Sequence, residues 1–392
     1  MVIGIDASRA DKKIKTGTEW YSYFLIEELK KITAGTEHKI ILYSRESLHC
    51  GLAKLPANWK NKILRWPPKY LWTNIRLSLE MLFNPPDVLF IPAHSVPLIY
   101  AKNTVATWHD IGFEKFKHLY TPQAYWYHKW TVRFSLKHAT KVIVISEFTK
   151  NEILDLFGQF DSRLENKISV VYNGYDNKKY RADLDKNKIR QALEKYKIKW
   201  PYVFFVGRLE EKKNIAGLVR AFAKLRESAR IGKLINANNL KLVLAGRRGY
   251  GYDKVNKNIK ENNLQDDVIE LGWTDQEDVP YLLAGAEMFC FLSFYEGFGI
   301  PVLEAMACGT PVICSDIPPL REVAGDAALF VDPHNAQEIA LAMRKVFNDS
   351  VLRENLINKG LEREKEFSWE KCAKETWDVI MQNAKIKMKN VM

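Results

Sequence analysis

Residues 288–310 read MFCFLSFYEGFGIPVLEAMACGT: a short apolar run, a glycine-containing loop, and a segment with helix signals at both ends. Pro301 suits the first turn of a helix, and Gly309 suits the position after its last turn. A short, almost continuous apolar strand followed by a helix is the repeating unit of a parallel sheet covered on both faces. This stretch therefore predicts a strand–loop–helix unit.

The same unit recurs along the chain of 392 residues, and a polar connector at 175–200 separates two runs of it. The strand candidates are Val2–Asp6, Lys39–Tyr43, Asp87–Ile91, Thr104–Thr107, Lys141–Ile145 and Ile168–Val171, then Tyr202–Val206, Leu240–Ala245, Val268–Leu271, Met288–Leu292, Pro311–Ser315 and Ala328–Val331. Two such runs predict an α/β protein with two doubly wound, Rossmann-like domains, 1–180 and 181–392. The last amphipathic helix, Trp369–Lys385, could pack on either domain. Ligands bind beyond the carboxyl ends of parallel strands, so we expect the site in a cleft where the two domains face each other.

The composition excludes several classes of protein. Apolar residues make up 47% and charged residues 27%, as in ordinary globular domains. No apolar run is long enough for a transmembrane span, and the N-terminus lacks the pattern of a signal peptide. The five cysteines form no CxxC pair, which argues against a disulfide scaffold or a zinc site and favours a reducing compartment. Residues 1–200 carry 33 Lys+Arg against 20 Asp+Glu, so the basic charge lies in the first half.

Two loops after strands hold candidate ligand-binding residues. Gly207 and Arg208 follow one strand, and Lys213 stands near the start of the next helix. Cations at a helix N-terminus favour a diphosphate, although a merely solvated charge cluster is the alternative. In the other loop, Glu296 and Glu304 flank three residues, Gly297–Gly299, and a helix start. Two carboxylates there suit the hydroxyls of a sugar and a ribose. Val302 occupies the third glycine position of GxGxxG, which excludes a dinucleotide fingerprint.

The segment Glu296–Glu304, with seven residues between its glutamates, resembles the signature of the group 1 (family 4) retaining glycosyltransferases of the GT-B fold. The resemblance covers almost the whole chain in the family's order. Its other motifs are Gly17, Pro86-Asp87-Val88, Trp108-His109-Asp110, Val144–Thr149, Val171–Gly174, Gly207-Arg208 with Lys213, Ala245-Gly246, Leu271-Gly272 and Glu322–Gly325. Within this group, the chain is most similar to mannosyl- and rhamnosyltransferases of surface-polysaccharide assembly.

The resemblance implies a role for each matching residue in binding a nucleotide sugar. Arg208 and Lys213 would neutralise the donor diphosphate, although Lys212 is adjacent and equally basic. Glu304 would bind the ribose, and Glu296 would bind the donor sugar as a ligand or as a nucleophile. The remaining positions are the backbone amides of Gly297, Phe298 and Gly299 for sugar and phosphate, Leu303 beside the nucleotide, Gly17 making room for the diphosphate, and His109 near the reacting face of the sugar.

His109 and the Asp-x-Asp sequence bear on whether the site uses protein side chains or a metal ion. A single histidine after a strand is more often structural, but its position before Asp110 and the family match favour contact with substrate. The only Asp-x-Asp sequence, Asp183-Leu184-Asp185, lies in the charged connector and is expected to face solvent. With protein cations at the diphosphate, we expect catalysis without metal or cofactor.

The resemblance therefore implies a retaining hexosyltransferase. On family similarity alone, mannose from GDP-mannose is the first choice of donor, and a lipid-linked saccharide of lipopolysaccharide or glycolipid assembly is the expected acceptor. Three alternatives are a glycosyl phosphorylase or sugar-phosphate synthase of the same fold, a non-catalytic sugar-binding protein, and nucleic-acid binding through the basic half. No nucleic-acid reader motif accompanies the charge, so no nucleic-acid partner is expected.

The segment from Trp59 to Phe83 predicts contact with a membrane. Trp59, Trp66, Tyr70 and Trp72 alternate with Lys60, Lys62, Arg65, Lys69 and Arg76, and Glu80 is the only acid. Aromatic and basic side chains favour the surface of an anionic bilayer, which predicts a cytoplasmic enzyme peripheral on the inner membrane. The alternative is that the aromatics pack under the sheet, because Leu71, Ile75, Leu79 and Leu82 predict a helix stripe that faces the core.

Overall fold

The computed structural model describes residues 1–12, 15–68, 70–230 and 239–388. The chain forms two compact units: Met1–Gly174 with Ser368–Met392, and Tyr175–Phe367. The boundary thus lies six residues before the one expected from sequence, at 180. The last helix belongs to the first unit rather than to the range 181–392, because it packs against the first helix of the chain and against strands of the first sheet.

The first unit is built on a seven-stranded parallel sheet of order β3-β2-β1-β4-β5-β6-β7. Its strands are β1 Val2–Asp6, β2 Lys39–Ser44, β3 Trp59–Ile63, β4 Val88–Ile91, β5 Thr104–Trp108, β6 Lys141–Val144 and β7 Ile168–Val170. Every residue of β4 and β5 is buried, as a sheet covered on both faces requires. The order of the strands reverses between β1 and β4, so ligand binding is expected beyond their carboxyl ends.

Helices of the first unit follow the strands. They are α1 Gly17–Thr33, a π-helical turn Trp72–Leu77 that continues into α2 Ser78–Phe83, α3 Pro122–His138, α4 Glu147–Phe157, α5 Leu164–Lys167 and, from the end of the chain, the last helix Trp369–Met388. Thr16 and Glu19 form a capping box at the start of α1.

The second unit contains a six-stranded parallel sheet of order β10-β9-β8-β11-β12-β13. Its strands are β8 Tyr202–Val206, β9 Lys241–Ala245, β10 Val268–Gly272, β11 Met288–Phe291, β12 Val312–Ser315 and β13 Ala328–Val331. Its helices are α6 Lys186–Lys195, α7 Ile215–Arg230, α8 Tyr252–Glu261, α9 Val279–Ala284, α10 Ile300–Ala307, α11 Pro318–Ala324, α12 Ala336–Asn348 and α13 Ser350–Arg363; the last helix of the chain is α14. The strand order reverses between β8 and β11.

Two sequence-based expectations for residues 59–83 were wrong. Strand β3 was missed, because its sequence WKNKI has three polar residues in a row between two apolar ones, at a sheet edge. The stripe Leu71, Ile75, Leu79 and Leu82 was expected to face the core, but all four side chains are exposed. The buried side of this segment is formed instead by Trp72, Leu77 and Met81.

The aromatic residues of the same segment divide between core and surface. Trp59 and Trp72 are buried, and their indole N–H groups donate to Thr33 Oγ1 and the Leu64 carbonyl, at 2.9 and 2.8 Å. Tyr70 is exposed, and Lys69 lies outside the described residues. No helix in the described part of the chain has the length and apolar character needed to cross a membrane.

Candidate functional site

The predicted binding residues of the second unit lie in two loops on either side of the strand-order reversal. One loop leaves β8 and contains Gly207, Arg208 and a 3₁₀ turn, Glu211–Lys213. The other leaves β11 and leads to α10. Phe294 N–H donates to the Lys212 carbonyl at 2.9 Å, which joins the two loops. The carboxyl ends of two adjacent strands thus bring together residues that are 83 positions apart.

Lys213 and Glu296 form an ion pair between these loops. Lys213 Nζ lies 2.5 Å from Glu296 Oε1, and only 18% and 11% of the two side chains are exposed. Lys213 also lies over the ring of Phe291, whereas Lys212 lies over the ring of Tyr295. The structure therefore distinguishes two lysines that the sequence left equivalent: Lys213 is the one paired with a predicted sugar ligand.

Asn214 holds the turn that carries Lys213, and the sequence gave no reason to select it. Its backbone adopts the left-handed conformation at φ 54°, and its side-chain Nδ2 donates to the Pro333 carbonyl at 2.7 Å. A Cβ atom at Gly217 would lie 2.2 Å from Asn214 Oδ1, so a glycine is required one turn into α7. A positive φ at a non-glycine residue persists only where surrounding contacts hold it, so the turn before α7 has a fixed geometry.

Arg208 is exposed, with its Nε 3.4 Å from Glu210 Oε2, so its guanidinium is accessible to a ligand. The backbone beneath it is tightly packed. A Cβ atom at Gly246, after β9, would lie 1.8 Å from the carbonyl oxygen of Gly207. The Ala245-Gly246 motif therefore has a steric cause: the two loops approach too closely for any side chain at this position.

The glycine loop 297–299 precedes α10 as the sequence predicted. Gly299 has φ 121° and is the residue before the helix, Pro301 lies in its first turn, and Gly309 follows its last turn with φ 70°. Gly297, Phe298 and Gly299 are all buried. Leu303 is fully buried in the core, so only its backbone could contact a nucleotide without repacking.

Glu304 has a different environment from Glu296. It is half-buried and accepts a hydrogen bond from the hydroxyl group of Tyr180. Burial raises the pKa of Glu304 to about 7, although Tyr180 and the charge of Lys179 act in the opposite direction. Tyr180 is buried, yet it comes from a connector whose charged sequence predicted a solvated segment, and no sequence signal identified it.

In the first unit, His109 follows β5 and is buried. Its Nε2 lies 3.0 Å from the Pro92 carbonyl, and its ring packs edge-on against Tyr21 at 4.6 Å. Burial lowers the pKa of His109 to about 4, although Pro92 and Asp110 act in the opposite direction. At neutral pH the ring is therefore uncharged, and its Nε2–H donates to Pro92. This leaves Nδ1 as the acceptor nitrogen.

Gly17 begins α1, and a Cβ atom there would meet nothing within 4 Å. Two residues further along, the first turn of α1 carries a charged group that was not among the predicted site residues. Glu19 is buried, 2.8 Å from Lys12 Nζ and 3.7 Å from the Arg9 guanidinium. Burial opposes its ionisation, but the hydrogen bonds from Lys12 and Thr16 lower the pKa of Glu19 to about 2. The Thr16-x-x-Glu19 spacing of a capping box could have revealed it.

The Asp-x-Asp sequence lies where the sequence predicted. Asp183 is exposed, and Asp185 caps α6 by accepting from the Asn187 N–H at 2.8 Å. These residues thus have a structural explanation. Within residues 1–12, 15–68, 70–230 and 239–388, no three His, Cys, Asp or Glu side chains are grouped as a metal site would need.

Sequence comparisons identify relatives for both units. The family model for glycosyl transferases group 1 matches residues 185–363, and the model for glycosyltransferase family 4 matches residues 16–179. The O-antigen chain mannosyltransferase B of Escherichia coli is 32% identical over 276 residues, which cover 70% of this chain and 69% of the relative. The O-antigen chain mannosyltransferase RfbU of Salmonella typhimurium is 27% identical, over 72% and 70% of the two chains.

A third relative comes from Campylobacter jejuni, and its name specifies its acceptor. It is an N-acetylgalactosamine-N,N'-diacetylbacillosaminyl-diphospho-undecaprenol 4-alpha-N-acetylgalactosaminyltransferase, 32% identical over 62% of this chain and 60% of the relative. Among solved structures, sucrose-phosphate synthase from Thermosynechococcus elongatus matches with a TM-score of 0.73 at 20% identity, over 97% of this chain and 98% of the other. WaaG, a glycosyltransferase involved in lipopolysaccharide biosynthesis, matches with a TM-score of 0.70 at 16% identity, over 97% and 99%. At these identities the structural matches show the fold.

Proposed function

The chain belongs to the group 1, family 4 glycosyltransferases and is a hexosyltransferase of the GT-B fold, and from this premise we propose that it transfers mannose from GDP-mannose to a saccharide with retention of anomeric configuration. The named mannosyltransferase relatives support the choice of sugar. The observation that carries the donor site is the Lys213–Glu296 pair at the strand-order reversal of the second sheet.

In this proposal the ion pair is a preformed donor site. The oxygens of a bound diphosphate accept hydrogen bonds from Lys213 and from the exposed guanidinium of Arg208. As Lys213 turns to the diphosphate, the carboxylate of Glu296 becomes available to the hydroxyls of the donor sugar. Glu304, held by Tyr180, accepts from the ribose hydroxyls. In the occupied site, the two cations are therefore paired with diphosphate oxygens, and the two carboxylates accept from hydroxyl groups.

Bond breaking separates charge, and the same groups stabilise it. The anomeric carbon becomes positive as the nucleoside diphosphate leaves. Lys213, Arg208 and the amides of Gly297, Phe298 and Gly299 stabilise the negative charge that develops on the diphosphate. These residues supply that stabilisation without a metal ion or a cofactor. The role proposed for His109 is substrate contact through a neutral ring, because burial lowers its pKa to about 4.

The proposed acceptor is a lipid-linked saccharide of lipopolysaccharide or glycolipid assembly. The Campylobacter relative, whose named acceptor carries diphospho-undecaprenol, supports this choice. Such an acceptor requires an enzyme that works in the cytoplasm at the inner face of the membrane. The basic balance of residues 1–200 supports contact with anionic lipid there.

A panel of nucleotide sugars tests the donor. Purified protein is incubated with GDP-mannose, UDP-glucose and dTDP-rhamnose, and release of the nucleoside diphosphate is measured with and without a saccharide acceptor. GDP-mannose is expected to give the fastest release, and the anomeric configuration of the product is read by NMR. Release from none of the donors would refute a transferase site. Sugar 1-phosphate formed with inorganic phosphate would instead identify a phosphorylase.

A further inference from the structure

One surface of the first unit exposes many large apolar side chains, and we call it the aromatic face. Such side chains are normally scattered singly over a protein surface, and a contiguous group marks an interaction site. Phe83 is 73% exposed and Trp126 is 63% exposed. The other members are Tyr70, Leu71, Ile75, Leu79, Leu82, Leu98, Ile99, Tyr127 and Trp130.

The aromatic face is formed by three segments that are hydrogen-bonded to one another. The Ile99 N–H donates to Ser78 Oγ at 3.2 Å, which places the loop 98–99 against α2. The hydroxyl of Tyr127 donates to Asn74 Oδ1 at 3.0 Å, which joins α3 to the π-helical turn. Trp130 lies between Tyr127 and Phe134, with ring centroids 6.2 and 5.1 Å away. The exposed side chains therefore belong to neighbouring elements.

The exposed apolar stripe on segment 71–83 is separate from the side of the segment that faces the core. Trp72, Leu77 and Met81 already bury the opposite side of the same segment. Leu71, Ile75, Leu79 and Leu82 follow at spacings of three and four residues, and all four side chains are exposed. The segment 71–83 is thus apolar on two sides, and only one of them is covered by the protein.

The charged residues around the aromatic face are basic. Residues 115–146 contain six Lys and Arg and no Asp or Glu, and Arg133 and Lys137 extend the exposed stripe of Trp126 and Trp130 along α3. Two of the acids near in sequence are covered by cations: Glu80 pairs with Lys62, and Glu114 lies 3.3 Å from Lys129 Nζ. A third acid, Asp87, accepts a hydrogen bond from the Val2 N–H at 2.7 Å. The surface therefore offers apolar groups and positive charge together.

We propose that the aromatic face inserts into the interface of an anionic lipid bilayer. The exposed tryptophans and tyrosines suit the headgroup level, the leucines and Phe83 reach the acyl boundary, and the basic residues bind anionic headgroups. A second copy of the chain fits this surface less well, because two basic surfaces would face each other. This inference rests on the proposed function, since a lipid-linked acceptor requires the enzyme at a membrane. It extends the membrane contact predicted for residues 59–83 to insertion through three segments.

Sedimentation of the full chain with vesicles tests the proposal. The vesicles contain phosphatidylcholine alone or mixed with phosphatidylglycerol, at about 0.1 M and about 1 M salt, where the screening length is about 10 and about 3 Å. Binding should require phosphatidylglycerol at low salt, and part of it should persist at high salt because apolar burial is not screened. Charge-only docking would be abolished at high salt, and that result would overturn insertion.

Two double variants locate the inserted surface. Leu79→Ser with Leu82→Ser, and Trp126→Ser with Trp130→Ser, should each weaken vesicle partitioning by about tenfold or more, since each removes two apolar side chains. The matched control is Leu341→Ser with Val351→Ser, two exposed apolar positions of the second unit. This control should bind vesicles like the parent chain. Circular dichroism and the melting temperature establish that each variant is folded.

The outcomes separate this inference from the proposed function. Vesicles with brominated acyl chains should quench tryptophan fluorescence in the parent chain, and less so in Trp126→Phe with Trp130→Phe. Unchanged sedimentation of both serine variants would overturn the proposal. A dimer that the same variants dissociate, without vesicle binding, would identify a second copy as the occupant. Donor turnover measured without vesicles reports on the proposed function alone: turnover without vesicle binding would refute insertion only.

Discussion

Lys213→Ala is expected to destabilise the second unit and to weaken donor binding at once. The substitution leaves the carboxylate of Glu296 without the ammonium group 2.5 Å away, in a position where 11% of its side chain is exposed. Breaking a fully buried ion pair costs about 3–5 kcal/mol, and an exposed pair contributes about 0–1 kcal/mol. Because both side chains keep some contact with solvent, we expect a loss of about 2 kcal/mol. For a unit of this size that corresponds to about 4–8 °C in melting temperature.

A double-mutant cycle separates the ion pair from other effects of the substitution. Glu296→Gln should cost less than Lys213→Ala, about 1 kcal/mol, because the long, flexible lysine side chain that remains reaches water more readily than the shorter carboxylate of Glu296. The double variant should be more stable than the sum of the two single losses predicts, since no unpaired charge remains. Lys212→Ala is the matched control, and its melting temperature should change little.

The assay combines thermal unfolding with calorimetry of GDP binding. Lys213→Ala should weaken GDP binding, whereas Glu296→Gln should leave GDP binding nearly unchanged and weaken only binding of the full nucleotide sugar. Additive losses of stability in the cycle, or equal loss of GDP binding in Lys212→Ala, would refute the ion pair as the preformed donor site.

Three further predictions follow from the other residues of the donor site. Arg208→Ala should weaken GDP binding about ten- to hundredfold with an unchanged melting temperature, because it removes a hydrogen bond to a charged group worth about 1.5–3 kcal/mol; unchanged affinity in calorimetry would contradict its assignment. Glu304, with a pKa of about 7, is largely protonated at pH 6 and ionised at pH 8. If the ribose binds the carboxylate, GDP affinity should therefore rise about tenfold over this range. Glu304→Gln corrects for titration of GDP itself, and an equal rise in that variant would exclude Glu304 as the cause. EDTA should not abolish turnover, because in the proposed site protein cations neutralise the diphosphate. Complete loss that manganese restores would show that a metal is required.

The sequence by itself determined the fold class and twelve of the thirteen strands in the described part of the chain, and it predicted which loops bind the donor. These features are local: apolar runs of strand length, prolines and glycines at helix ends, and motifs in a family's order are all present in short segments. Strand β3 was missed for the same reason, because an edge strand with alternating lysines has no distinctive apolar run.

Only the tertiary structure decided which residues meet. Lys213 and Lys212 have equal charge and adjacent positions, and the approach of the loops after β8 and β11 pairs Lys213 with Glu296. Tyr180 reaches Glu304 from a connector with no apolar pattern, and the pKa of Glu19 is lowered by Lys12 and Thr16, which precede its helix. The segment 71–83 shows most clearly what could not be predicted from the sequence. Its two apolar sides are similar in sequence, so periodicity alone could not tell which side faces the core. That choice depends on the volume left beside the sheet, which Trp72, Leu77 and Met81 fill, leaving the stripe from Leu71 to Leu82 exposed.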